Sequence, residues 1–167
     1  MPFTPYHPGP GLFVGLLFLG FIDFPTFLVA SVIVDVEPLL VLAFNLNYPL
    51  HGFFHSFLGG TLVAVPLALA MYKIRGKFSP LLSFFRLEQT VSLKKVLAAA
   101  LSGIYIHILL DSRGYTDIQP FYPATYNPLL ATGVSAGLDS YILCIWSFVG
   151  AAVIYIIRLV LVWRKTR

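Results

Sequence analysis

Four histidines and seven carboxylates carry most of the chemistry open to this chain of 167 residues. His51-Gly52-Phe53-Phe54-His55 sets two imidazoles four residues apart. On a helix that spacing is one turn and turns both rings toward one ion. His107-Ile108-Leu109-Leu110-Asp111 repeats the spacing, with only aliphatic residues between. Asp111 either ligates beside His107 or accepts its other ring proton and so fixes the tautomer. Asp35-Val36-Glu37-Pro38 closes the apolar run from Phe27 to Val34. An acid at a helix C-terminus opposes the helix dipole and calls for a cationic partner. His7, in Tyr6-His7-Pro8-Gly9, reads as a loop residue that joins only if the others converge. Imidazole and carboxylate together are the donor set of a divalent metal, zinc foremost, as one or two ions.

Other residues offer less. The loop opening at Asp111 holds Arg113 and Asp117. Arg113 either binds a substrate anion such as phosphate, with Asp117 beside it, or simply pairs with Asp117. Asp139, in Gly137-Leu138-Asp139-Ser140, sits where a helix cap belongs. The lone Cys144 lies in an apolar run and cannot form an internal disulfide. No Ser-His-Asp order, phosphate loop or nucleotide motif is present.

The elements that position these residues must lie in a membrane. Hydrophobic residues make up 58% of the chain, charged residues 11%, and mean hydropathy is +0.85. A soluble domain carries about 25% charged residues, so this chain cannot cover a surface facing water. Disorder is excluded by its 15 Phe and 9 Tyr. The sequence predicts a single all-α integral membrane domain over residues 1–167. Three apolar runs have the length for a spanning helix, about 20 residues: Ser56 to Tyr72, Val96 to Leu110, and Ser140 to Trp163. The first continues upstream through His51; the second reaches back to Ser92, a candidate cap. Gly11 to Phe21 and Pro25 to Val34 are too short to span alone. They read as two short helices joined at Asp23, with Asp23 as cap and Pro25 in the first turn. One kinked helix over residues 11–34 is the alternative. Pro38 to Pro49 reads as a loop or a short interfacial helix. Residues 1–10 lack the basic residues of a signal peptide.

Basic residues set the direction. Lys73, Arg75, Lys77, Arg86, Lys94 and Lys95 form one group, and Arg158, Arg164, Lys165 and Arg167 another; Arg113 alone lies elsewhere among the 11. Both groups are expected in the cytoplasm, where Glu88 and the basic residues around it form a solvated loop. The net charge of +4 therefore points to membrane topology rather than to nucleic acid. A bundle of about five transmembrane or partly spanning helices results, N-terminus out and C-terminus in, as a multi-pass protein of the cell membrane. All four histidines then fall on the outer side, as do Asp35, Glu37, Asp111, Asp117 and Asp139.

At these residues the chain resembles the YdjM-like family of membrane-bound metal-dependent hydrolases. The resemblance rests on His7 before a short helix, the acidic pair in Val34-Asp35-Val36-Glu37, and the His-Gly-x-x-His-Ser element from His51 to Ser56. His107-x-x-x-Asp111 and the Pro-Phe-x-Pro element from Pro120 to Pro123 complete it. It runs from His7 to about Pro128. The family pattern often has Pro-Asp-x-Asp at the acidic pair and an Arg where this chain has Gly52. The resemblance implies hydrolysis. His7, Asp35, His51, His55, His107 and Asp111 would ligate the metal, Asp35 and Glu37 being the carboxylates closest to the chemistry. Glu37 would serve as a further ligand or proton carrier. A site recessed near headgroup depth favours a lipid or lipid-linked ester or phosphoester. The rival is a non-catalytic protein, either a structural metal clamp or a divalent-metal carrier.

Overall fold

Prolines and short polar caps decide where each helix starts. In the computed structural model, which describes residues 6–132 and 136–165, Pro8 opens the first helix, α1 (Pro8–Leu17). The chain then turns at Phe18 to Asp23 into α2 (Phe24–Ala30). Asp23 Oδ2 accepts from the Thr26 amide at 3.2 Å and from its hydroxyl at 2.6 Å. Pro25 sits in the first turn, where no backbone N–H is needed. Two short helices joined at Asp23 are thus what forms, not one kinked helix.

Beyond Ala30 a 3₁₀ turn, Ile33–Asp35, leads into α3 (Val36–Ala43). The first half of the stretch from Pro38 is therefore helical. The expected clash of the acidic pair with a helix dipole is corrected here. Asp35 precedes α3 and Glu37 lies in its first turn, the end of a helix that favours negative charge.

The second expectation that fails is the helical pairing of His51 with His55. Ser56 is extended (φ −112°, ψ 155°), and its hydroxyl accepts from Gly59 N at 2.9 Å, so α4 (Phe57–Ile74) begins only at Phe57. A capped start cannot be continued backwards as helix. His51 is left in irregular chain and His55 ends a 3₁₀ turn, Phe53–His55. After α4 another 3₁₀ turn, Arg75–Phe78, leads to α5 (Ser79–Phe84). Ser92 caps α6 (Leu93–Ser112) as expected, accepting from Lys95 N at 3.3 Å. Asp139 is not a cap but lies in the first turn of α7 (Ala136–Lys165). Arg167 lies outside the described residues.

All regular structure among the described residues is helical. Four stretches are long and apolar enough to cross a membrane: Phe24–Ala43, Phe57–Phe84, Leu93–Ser112 and Leu138–Arg164. α4 and α6 run in opposite directions around an apolar core that includes Ala64, Ala68, Val96, Ala100, Ile104 and Ile108. α2 lies close on α6 because Gly103 has no side chain. A Cβ there would stand 2.6 Å from Ala30 Cβ and 2.9 Å from the Phe27 carbonyl. α1 packs mainly on α7. Gly9 faces the Cys144 carbonyl and Gly150 faces the Phe13 ring.

At one end of the bundle Arg75, expected in a solvated loop, is instead buried. Its Nε donates to Asp23 Oδ1 at 2.5 Å, with both side chains nearly inaccessible. Gln89 closes the turn between α1 and α2, donating to the Leu19 and Ile22 carbonyls and accepting from Phe24 N at 2.9 Å. His55, at the start of α4, and Asp111, at the finish of α6, lie at the other end.

Candidate metal centre

Three pieces of chain meet where α4 starts and α6 finishes. The α2–α3 junction brings Asp35, the 3₁₀ turn before α4 brings His55, and the last turns of α6 bring His107 and Asp111. One ligand atom from each of these four lies within 4.8 Å of every other. His55, His107 and Asp111 are buried; Asp35 keeps 14% of its side chain exposed and is the most accessible of the four.

Tautomers follow from what each ring touches. His107 Nδ1 lies 2.8 Å from the Ser31 carbonyl, which can only accept, so Nδ1 carries the hydrogen. In the neutral ring Nε2 offers a lone pair, 3.1 Å from Asp111 Oδ2 and 3.4 Å from Asp35 Oδ1. His55 repeats the pattern. Its Nδ1 donates to Glu37 Oε2 at 2.8 Å, and its Nε2 stands 4.0 Å from Asp35 Oδ1. Burial holds His55 below the ordinary histidine range, against the opposing hydrogen bond from Glu37, and so favours the neutral, lone-pair form. His55 Nε2, His107 Nε2 and Asp35 Oδ2 are all buried without a hydrogen-bond partner. Nitrogen lone pairs and carboxylate oxygens pointed at one another repel unless a proton or a metal cation stands between them. This group could hold a metal ion.

The remaining expected residues surround it. His7 is no loop residue. It precedes α1, is buried, stacks on His107 with centroids 4.2 Å apart, and donates from Nε2 to Asp111 Oδ1 at 3.0 Å. Glu37, expected as a ligand or proton carrier, has both oxygens engaged. Oε2 accepts from His55 Nδ1 and from Gly52 N (3.1 Å), and Oε1 from Phe54 N (3.2 Å). It therefore orients His55, as carboxylates behind ligating imidazoles do.

His51, expected as a ligand, is outside the four-residue group. Its backbone N and its Nδ1 both donate to the Asp117 carboxylate, at 3.0 to 3.1 Å. Its ring lies over Tyr115 at 3.9 Å and edge-on to His55 at 4.8 Å between centroids. Burial pushes the Tyr115 hydroxyl above its usual range, and the Asp111 charge adds to this. Asp117 thus serves His51, and the expected pairing of Arg113 with Asp117 does not form. Arg113 is exposed in a separate recess with Leu109, Pro128 and Asp139, away from the group. A cleft of about 310 Å³ opens beside His51, lined also by Tyr48, Gly52, Asp117, Gln119 and Tyr122.

Sequence reasoning missed the Ser31 carbonyl, which no side-chain pattern can announce. It also missed the pairing of His51 with Asp117, which lie 66 residues apart. Comparison with protein families, with characterised proteins and with solved structures finds no match to this chain.

Proposed function

We propose that this is a membrane-bound hydrolase whose centre is one zinc or similar divalent ion held by Asp35, His55, His107 and Asp111. The observation that carries the reading is the set of three buried, unpartnered atoms, His55 Nε2, His107 Nε2 and Asp35 Oδ2, gathered among carboxylate oxygens. Two nitrogens and two carboxylate oxygens suit zinc. A bound divalent ion supplies Lewis-acid polarisation of the scissile bond and acidifies a neighbouring water. Glu37 and the Ser31 carbonyl fix the two imidazoles. Asp35, the most accessible of the four, is the carboxylate nearest an incoming substrate. The cleft beside His51 would take the polar part of that substrate. The resemblance to YdjM-like hydrolases supports the reaction class, and the setting in an apolar bundle supports a lipid or lipid-linked phosphoester or ester, met at the outer face of the cell membrane.

A second reading has an observation of its own. Four protein donors can close a tetrahedral set, as structural zinc sites do, and these four tie together three separate pieces of chain. A clamp would use the same atoms. Transport is disfavoured, because the core beneath the group is the apolar set of Val34, Ala64, Ala100, Ile104 and Ile108.

One experiment separates the readings. The protein, purified in native lipid and assayed for bound metal, is screened against lipid phosphoesters and carboxyl esters, with chelator and with metal restored. Hydrolysis that chelator abolishes and zinc restores supports the enzyme. Stoichiometric metal with no cleavage leaves the clamp, and a protein that binds no metal refutes both.

A further inference from the structure

Away from the His/Asp group, α1, α2, α5 and α7 enclose an open groove of about 430 Å³. Its walls are aliphatic and aromatic, including Leu12, Leu28, Leu81, Phe85 and Phe148. Its one polar group, the Tyr155 hydroxyl, already donates to the Phe85 carbonyl at 3.1 Å. Two arginines adjoin wall residues of this groove, Arg158 lining the neighbouring recess with Leu16, Ile154 and Leu161. Arg86 follows Phe85 directly, and Arg158 lies one turn beyond Tyr155 on α7. Arg86 adopts a left-handed backbone (φ 55°), and its carbonyl accepts Arg158 Nε at 3.1 Å. That bond holds the two residues together. Neither guanidinium has a carboxylate partner among the described residues, where the arginine ion pair is that of Arg75 with Asp23. Glu88, nearby in sequence, accepts from the Ser83 hydroxyl instead.

Basic side chains at the edge of an apolar span attract anionic lipid headgroups. An arginine fork matches the geometry of a phosphate. What fills an apolar groove and also neutralises the arginines beside it must join a hydrocarbon chain to an anion. We infer that this groove binds one acyl chain of an anionic glycerophospholipid whose phosphate is held by Arg86 and Arg158. The occupant is distinct from any hydrolase substrate, because its headgroup lies at the opposite end of the bundle from Asp35 and His55. The inference therefore stands whether or not the metal centre is catalytic.

The test uses the whole protein in phosphatidylcholine nanodiscs carrying a trace of phosphatidylglycerol or phosphatidylcholine with a photoactivatable diazirine on the acyl chain. Crosslinked peptides are then mapped. Phosphatidylglycerol adducts are expected to concentrate on Leu81 to Leu87 and Ala151 to Arg158. Arg86→Gln and Arg158→Gln should each lower that yield roughly fivefold, the strength of one basic side chain against an anionic lipid, while phosphatidylcholine adducts stay unchanged. Glutamine at 158 keeps a donor for the Arg86 carbonyl. Should Arg158→Gln still lower the melting temperature, the exposed Arg86→Gln decides. Ala152→Trp should fill the groove and remove the adducts of both lipids there. Equal labelling by the two lipids, adducts spread around the whole of α7, or yields unaffected by both glutamine variants would overturn the proposal.

Discussion

Glu37 tests the metal centre most sharply, because its two oxygens do different things. Oε2 receives His55 Nδ1 and Gly52 N, while Oε1 receives Phe54 N alone. In Glu37→Gln the amide oxygen keeps two bonds if it takes the Oε2 position. Its NH₂ then faces the Phe54 N–H, donor against donor. Leaving that donor unmet costs about 1–3 kcal/mol of stability. The His55 bond survives without its charge, a weakening of about 1.4 kcal/mol, which lowers metal affinity roughly tenfold, the low end of the 10–100-fold range for partners behind a ligand. Glu37→Ala removes the bond altogether and should approach the hundredfold end. Competition for zinc between the purified protein and a chromogenic chelator measures both variants, and thermal unfolding of the metal-free protein measures the stability part. If both bind zinc within threefold of the unaltered protein, Glu37 does not orient His55. Lost turnover with undiminished affinity would return it to the role of proton carrier.

The same geometry fixes four further outcomes. His107→Ala should abolish metal binding while His51→Ala leaves stoichiometry intact, as elemental analysis of the purified variants would reveal; equal losses would mean the four-residue group is wrongly drawn. Arg75→Ala strands the Asp23 carboxylate in the interior and should cost about 3–5 kcal/mol, read as a fall in detergent melting temperature, and a change below about 1 kcal/mol would contradict the buried pair. Because His55 is held below its unfolded value of 6.5, the unfolded chain binds the extra proton first as pH falls. Stability should therefore be full above about pH 6.5 and decline below it, and a His55→Gln variant should lose that part of the slope. In a Cys144→Ser background, cysteines at Thr116 and at Gly76, where an added Cβ meets nothing within 4 Å, should label from opposite sides of a sealed membrane, and labelling from one side would break the outer-face assignment.

The fold was legible where local chemistry decides it. Asp23 with Pro25, Ser92 before Leu93, and the long apolar runs each carry their own signal, and each forms as read. The candidate site was half legible. His107 and Asp111 share a helix, so their spacing held its meaning. His51 and His55 straddle a boundary that Ser56 sets, and the four-residue spacing there lost its helical sense. Partners such as Asp117 for His51 and Asp23 for Arg75 are tertiary facts, and no local pattern encodes them. Residue type alone also could not separate a ligating carboxylate from an orienting one, since Asp35 and Glu37 differ only in which neighbours reach them.

The pairing of α1 with α7 imposes a schedule on the way this protein is made. Ten residues of α1 reach about 15 Å, half the roughly 30 Å hydrocarbon layer, so α1 cannot hold itself across a bilayer. Its main neighbour begins only at Ala136, so the nascent chain must grow through α2 to α6 before that support exists. The four candidate metal donors are all present once α6 has emerged. His7, ahead of α1, rests on Asp111 and His107 of α6, while the helix it opens gains its main support from α7. A chain stopped short of α7 would leave α1, and with it His7, without its main support beside the candidate donors.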